Sequence, residues 1–97
     1  MSLPSRADVL ASIAVLFPPE QRARALALLD EYTAGSDAGR ARVQMAILVL
    51  SDGDLARLES ELAVAKRDFR DVLVGAENTK EGQRRAAELA RRRHTRP

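Results

Sequence analysis

Leu55, Leu58, Leu62, Ala65, Phe69, Val72 and Ala76 recur at alternating spacings of three and four, an unbroken heptad stripe through residues 54–77. Apolar side chains with a 3.5-residue period line one side of an α-helix, and that side is stable only against another helix. The stripe therefore commits the chain to helix-on-helix packing, within one molecule or between two. It carries no chemistry of its own.

The remaining composition agrees. A length of 97 residues fits a single domain. Ala, Leu, Arg and Glu are abundant while Val, Ile and Thr are sparse, a helix-forming balance. The only aromatic residues are Phe17, Tyr32 and Phe69, so the core must be aliphatic. The absence of cysteine excludes a disulfide framework, thiol catalysis and a Cys-based zinc site, and it suits a reducing, cytoplasmic setting. The longest strongly apolar run, Met45 to Leu50, falls far short of the roughly 20 residues that span a bilayer, so no membrane is expected. Val9 to Phe17 resembles a signal core, but Asp8 abuts it, and it reads as a buried helix face.

Four helices and a tail are expected. Ser5 with Asp8 three residues on resembles a capping box and starts helix one, which Pro18-Pro19 stops. The same prolines and Glu20 start helix two, with Leu26, Leu28, Leu29 and Tyr32 on its buried side and Gly35 as its stop. Helix three runs from Asp37 to Leu50 and is apolar nearly all round in its second half, which predicts burial on several sides. Ser51-Asp52-Gly53-Asp54 punctuates the chain before a long helix four over the heptad stripe, on which Arg57–Glu61 and Arg67–Asp71 stand at i,i+4. Residues 1–77 form the bundle domain. Residues 78–97, with Asn78, Gly82 and mostly alanine as apolar content, form a basic, frayed or partly helical tail.

Charge divides along the same line. Residues 1–77 hold nine Arg/Lys against twelve Asp/Glu, whereas residues 78–97 hold seven against two. The high isoelectric point thus belongs to the tail, where Arg84, Arg85, Arg91, Arg92, Arg93 and Arg96 suit phosphate contacts with nucleic acid. No aromatic lies among them to stack a base. The competing reading is a solvated extension, or one docked on the acidic body.

No reactive constellation emerges. Counted from Asp52, the fifth and sixth residues of a calcium loop would be Ala56 and Arg57, where an oxygen ligand and a glycine are required. Asp68, Asp71 and Glu77 lack a partner histidine, since His94 stands alone in the arginine-rich tail. Gly35 to Gly39 lacks the Lys-Ser/Thr of a phosphate loop. No catalytic residue, cofactor or metal is expected.

From Arg42 the chain reads RVQMAILVLSDGDL and then AKRDFRDVL, closing on Glu77. It resembles a group of small bacterial proteins of unknown function, on positions that include Arg42, Gln44, Gly53, Asp54, Lys66, Asp68, Arg70 and Glu77. Those proteins carry Trp-Ala-Glu-Tyr-Pro where this chain has Gly75-Ala76-Glu77-Asn78-Thr79, so no role of those aromatics carries over. The resemblance implies a bacterial, all-helical, non-secreted protein and no particular activity.

The expectation is an all-α, antiparallel bundle of four helices that dimerises through helices three and four, because the stripe and helix three exceed what helices one and two cover. The expected function is a non-enzymatic module that binds an unknown protein partner. The stripe residues Leu55, Leu58, Leu62 and Phe69 would make the contact, with Lys66, Arg67, Arg70 and Asp71 on its rim. The alternative is a nucleic-acid-associated protein that uses Arg84, Arg85, Arg91, Arg92 and Arg93.

Overall fold

The first helix opens as its sequence predicts. In the computed structural model, which describes residues 3–94, the Ser5 hydroxyl accepts from the Asp8 amide and the Asp8 carboxylate accepts from the Ser5 amide, a closed capping box. Six helices follow: α1 (Arg6–Leu16), α2 (Pro19–Leu29), α3 (Asp37–Ser51), α4 (Leu55–Arg67), α5 (Phe69–Glu77) and α6 (Lys80–His94). The all-α expectation holds, and the count of four does not.

Pro18 and Pro19 do more than separate α1 from α2. In a continuing helix the carbonyls of Ala14 and Val15 would accept from the amides four residues on, and prolines have none. Two arginines take over. Arg22 of α2 donates to the carbonyl oxygens of Ala14 and Phe17, each at 3.0 Å. Arg92 of α6 donates to the Val15 carbonyl oxygen at 3.1 Å. Their positive charge also suits the negative end of α1, whose own last turn carries no basic residue.

Helix α2 ends at Leu29, earlier than the expected stop at Gly35. Two tight i→i+3 bonds, from Glu31 to Leu28 and from Tyr32 to Leu29, wind down its end. Tyr32 is buried as expected, but from the connection rather than from the helix. The buried side chain of Gln44 donates to the Leu29 carbonyl oxygen at 2.9 Å, tying this end to α3.

Helix α3 is the centre. Every residue from Val43 to Val49 is buried, because α1, α4, α5 and α6 all pack on it. Its all-round apolar character is thus satisfied inside one chain. Asp52 (φ 51°) and Gly53 (φ 82°) then turn the backbone through left-handed geometry, and Asp54 caps α4 through the amides of Ala56 and Arg57. Gly53 is required here for a second reason: a Cβ on it would lie 2.8 Å from the Leu16 carbonyl oxygen.

The long helix four is two helices. Asp68 is extended (φ −156°, ψ 99°), and its carboxylate accepts from the Arg70 amide to start α5. The heptad pattern spans the break because α4 and α5 both lie against α3, so each contributes its own part of the apolar seam: Leu58, Leu62 and Ala65 from α4, Val72 and Ala76 from α5. An extended residue resets the helical phase, and Phe69, inside the predicted stripe, stands at 46% exposure. Leu58, Leu62, Ala65, Val72 and Ala76 are buried within the chain and Leu55 is half-buried, so the surplus apolar surface that argued for dimerisation through α3 and α4 is largely used up inside one molecule.

Residues 80–94, expected as a frayed extension, form α6 and pack on α1, α3 and α5. Thr79 starts the helix: its hydroxyl accepts from the Gly82 amide and donates to the Gly75 carbonyl oxygen. Leu89 is buried, and Gly82 permits the close crossing with α5. Arg96 lies outside the described residues.

Candidate interaction surface

Of the stripe residues expected to meet a partner, Leu58 and Leu62 are core, at 0% and 2% exposure, and Leu55 is half-buried beside them. Phe69 alone of the four is open to solvent. It opens α5 at the Asp68 break, facing the connection that follows α2. Between these two segments runs a groove of about 540 Å³, lined by Ala65 to Arg70 on one wall and Glu31 to Ala34 on the other.

The rim is charged and largely self-paired. Lys66 Nζ lies 2.7 Å from Glu31 Oε1, bridging α4 to the far wall. The Lys66 ammonium holds the Glu31 carboxyl below its ordinary range, with a smaller contribution from Arg24. Arg70 Nε lies 3.0 Å from Asp68 Oδ1. The guanidinium and the Arg70 amide together depress the Asp68 pKa, and the same pairing raises that of Arg70. Asp68 thus fixes both the helix break and the place of Arg70. The expected Arg67–Asp71 pair does not form, because the break separates the two residues. Asp71 is exposed in the first turn of α5, and Arg67 is left without a side-chain hydrogen bond or ion pair among the described residues.

The basic residues proposed for nucleic acid are brought onto one helix, and each has a partner there or below it. Glu81 accepts from Arg84 at 2.6 Å and from Arg85 at 3.0 Å, and Glu88 pairs with Arg91. Arg92 serves the Val15 carbonyl, and Arg93 donates to the hydroxyl of the buried Ser12 at 3.1 Å. Five arginines that read as a free cationic tail are thus engaged in holding α6 together or docking it. Glu81 and Glu88 lie below their ordinary pKa for the same reason, the arginine hydrogen bonds.

Several contacts are not foreseen from the sequence. Arg42 of α3 makes a two-pronged pair with Glu77 at the end of α5, at 2.9 and 2.5 Å. The contact gives both residues a structural role, tying α3 to the end of α5. Glu77 stands at the negative end of a helix, where a cation is needed beside it. Gln44 could have been flagged as the one amide in an apolar helix. Arg22 could have been flagged as the cation four residues beyond Pro18.

Among the described residues no three His, Cys, Asp or Glu side chains gather as ligands for a metal ion, and no helix is long and apolar enough to cross a membrane. No protein-family model, curated protein or solved structure matches this chain.

Proposed function

We propose that this protein is a non-enzymatic helical interaction module that binds a protein partner at the α4–α5 junction. The observation that carries the reading is Phe69, a large aromatic side chain at 46% exposure set in a groove with Lys66, Arg67 and Arg70 around it. A half-exposed aromatic anchor with arginines on its rim is the composition that concentrates binding energy in protein interfaces. Lys66 and Arg70 already have carboxylate partners, so Arg67 is the cation available to a partner's acidic group. A second copy of this chain is one form such a partner can take. A homodimer would then be built on Phe69 rather than on Leu58 and Leu62.

The test compares the wild-type chain with Phe69→Asp and Arg67→Glu in cross-linking pull-downs, alongside light scattering for self-association. Both variants are expected to melt with the wild type, because neither side chain is in the core. A complex, with another protein or a second copy, that both substitutions abolish supports the reading. Complexes indifferent to both substitutions reject it.

A further inference from the structure

The outer face of α6 carries a line of basic side chains. Lys80, Arg84, Ala87, Arg91 and His94 follow one another at spacings of four, three, four and three, so at 3.6 residues per turn they fall within a sector of about 80°. All five are exposed, and Gly82 and Leu89, which α6 buries, lie on the opposite side. The line runs for about 21 Å along the helix.

The fold does not use up this charge. Residues 80–94 hold six Arg/Lys against two Asp/Glu, while residues 1–79 hold nine against twelve. The carboxylates that pair with Arg84, Arg85 and Arg91 are those of Glu81 and Glu88, both on α6 itself. Of the body's acids, Asp52 acts on Arg84 from a distance. Where α6 docks on α1, Arg93 meets a neutral hydroxyl. Lys80 has no hydrogen bond or ion pair among the described residues. Within their pairs the Arg84 and Arg91 side chains stay 67% and 66% exposed. Pairs this open hold their partners weakly, so a phosphate oxygen can take the carboxylate's place.

The neutral part of the face decides which polyanion fits. Ala87 is the one apolar side chain in the line, too small to anchor the helix in a lipid surface. No aromatic stands there to stack an unpaired base. A duplex backbone needs neither. Arg84 and Arg91 stand about 10 Å apart along the helix, close to the roughly 12 Å width of the major groove of B-form DNA, and the small Ala87 between them admits close approach.

We infer that the outer face of α6 binds duplex DNA through its phosphates, without regard to sequence, with Lys80, Arg84 and Arg91 as the contacts. This surface shares no residue with the Phe69 groove and stands whether or not that groove takes a protein.

The test is fluorescence anisotropy of a labelled, mixed-sequence duplex of about 24 base pairs with the full chain, from about 50 to 200 mM sodium chloride. A dissociation constant of about 1–100 μM is expected. With three phosphates neutralised, the logarithm of affinity should fall against that of salt with a slope of about −2.7, a loss of about 40-fold over the range. Arg84→Gln with Arg91→Gln should weaken binding about tenfold or more and flatten the slope to about −0.9. Arg24→Gln with Arg57→Gln, which removes the same charge at exposed positions elsewhere, should bind within about twofold of the wild type. Glu81→Gln with Glu88→Gln, which frees both arginines, should tighten binding severalfold, and it keeps the test decisive if the arginine variant melts early. The inference is overturned by a duplex that does not bind at the lowest salt, by an equal loss in the Arg24 and Arg57 variant, or by no gain on removing the two glutamates. Tighter binding of single-stranded DNA, duplex RNA or phosphatidylserine vesicles, run alongside, would overturn it as well.

Discussion

Gly82 crosses the end of α5 so closely that a Cβ built on it would lie 2.1 Å from the carbonyl oxygen of Gly75 and 2.6 Å from that of Ala76. Helix propensity favours alanine over glycine by about 1 kcal/mol in a helix interior. The obstacle here is backbone, which cannot swing aside. Forced overpacking costs about 1–3 kcal/mol, and against fixed backbone the upper part of that range, about 2–3, applies, so the clash wins and Gly82→Ala is expected to destabilise the fold by a net of about 1–2 kcal/mol, seen as a lower urea midpoint. Gly39→Ala is the control. Its Cβ would meet only the Ser36 hydroxyl, at 3.2 Å, and the variant should be neutral or up to about 1 kcal/mol more stable. A Gly82→Ala protein that gains stability would show that α6 does not dock through this contact.

Arginines should divide by what they serve. Arg22 satisfies the Ala14 carbonyl that Pro18 leaves open and the Phe17 carbonyl beside it, and hydrogen bonds from charged groups contribute about 1.5–3 kcal/mol. Arg22→Ala is expected to cost about 1–2 kcal/mol after solvent compensation. Arg42, though paired to Glu77 through two bonds, is exposed, and such pairs contribute less than about 1 kcal/mol. Chemical denaturation of Arg22→Ala and Arg42→Ala tests the order. Arg92→Ala should also speed amide exchange in the last turn of α1, which its guanidinium helps to close.

Leu62 lies in the seam against α3, with 2% of its surface exposed. Leu62→Ala should cost about 2–5 kcal/mol, the range for a buried leucine truncation. Because the seam closes inside one chain, the melting temperatures of wild type and variant should not depend on protein concentration over a hundredfold range. A midpoint that rises with concentration and falls back with Phe69→Asp would mean self-association at Phe69, whereas a rise that survives Phe69→Asp would mean that association completes the core.

Acid should weaken the fold in a defined window. The folded pKa values of Asp68, Glu31, Glu81 and Glu88 all lie below their ordinary ones, each chiefly through a hydrogen bond from Arg70, Lys66, Arg84 and Arg91 in turn. Lowered carboxyl values mean that the unfolded chain binds protons first as pH falls. The stabilisation is therefore complete above about pH 5, declines below the unfolded values near 4, and is gone below the folded ones. All four carboxylates are exposed, so the decline should be shallow and weaken further in salt. Asp68→Asn, which keeps a capping side chain, should flatten part of the acid limb in a pH series of thermal melts.

Much of this architecture is legible because short-range chemistry dictates it. The Ser5–Asp8 box, the Pro18-Pro19 break and the cap before α4 are local, and each is where the sequence places it. The break at Asp68 is hidden by the seam itself. Two helices packed on one central helix preserve a heptad rhythm across a kink, and only the capping potential of Asp68 ahead of Phe69 hints otherwise. Helix α6 escapes a reading by periodicity because its anchor is one leucine, one glycine and arginine hydrogen bonds to distant groups, none of which periodicity weighs. The same facts alter how the nucleic-acid alternative is tested. Removing residues 78–97 would uncover α1, α3 and α5 as well as delete charge, so charge reversals at Arg84 and Arg91 are the cleaner probe. The candidate surface is half legible: Phe69, Lys66, Arg67 and Arg70 do meet in one groove, while Leu58 and Leu62 are sealed beneath it.

The bond from Arg92 to Val15 joins residues 77 positions apart. Ribosomes extend a chain by roughly 5–20 residues each second, so the carbonyl of Val15 emerges seconds before its donor exists. Through that interval the first helix has an open end, and the groove that α6 will fill is bare. The arrival of α6, rather than the appearance of any early helix, is therefore the event that completes this packing, and a chain stalled before its sixth helix would present to the cell's quality control a helical body with one side unroofed.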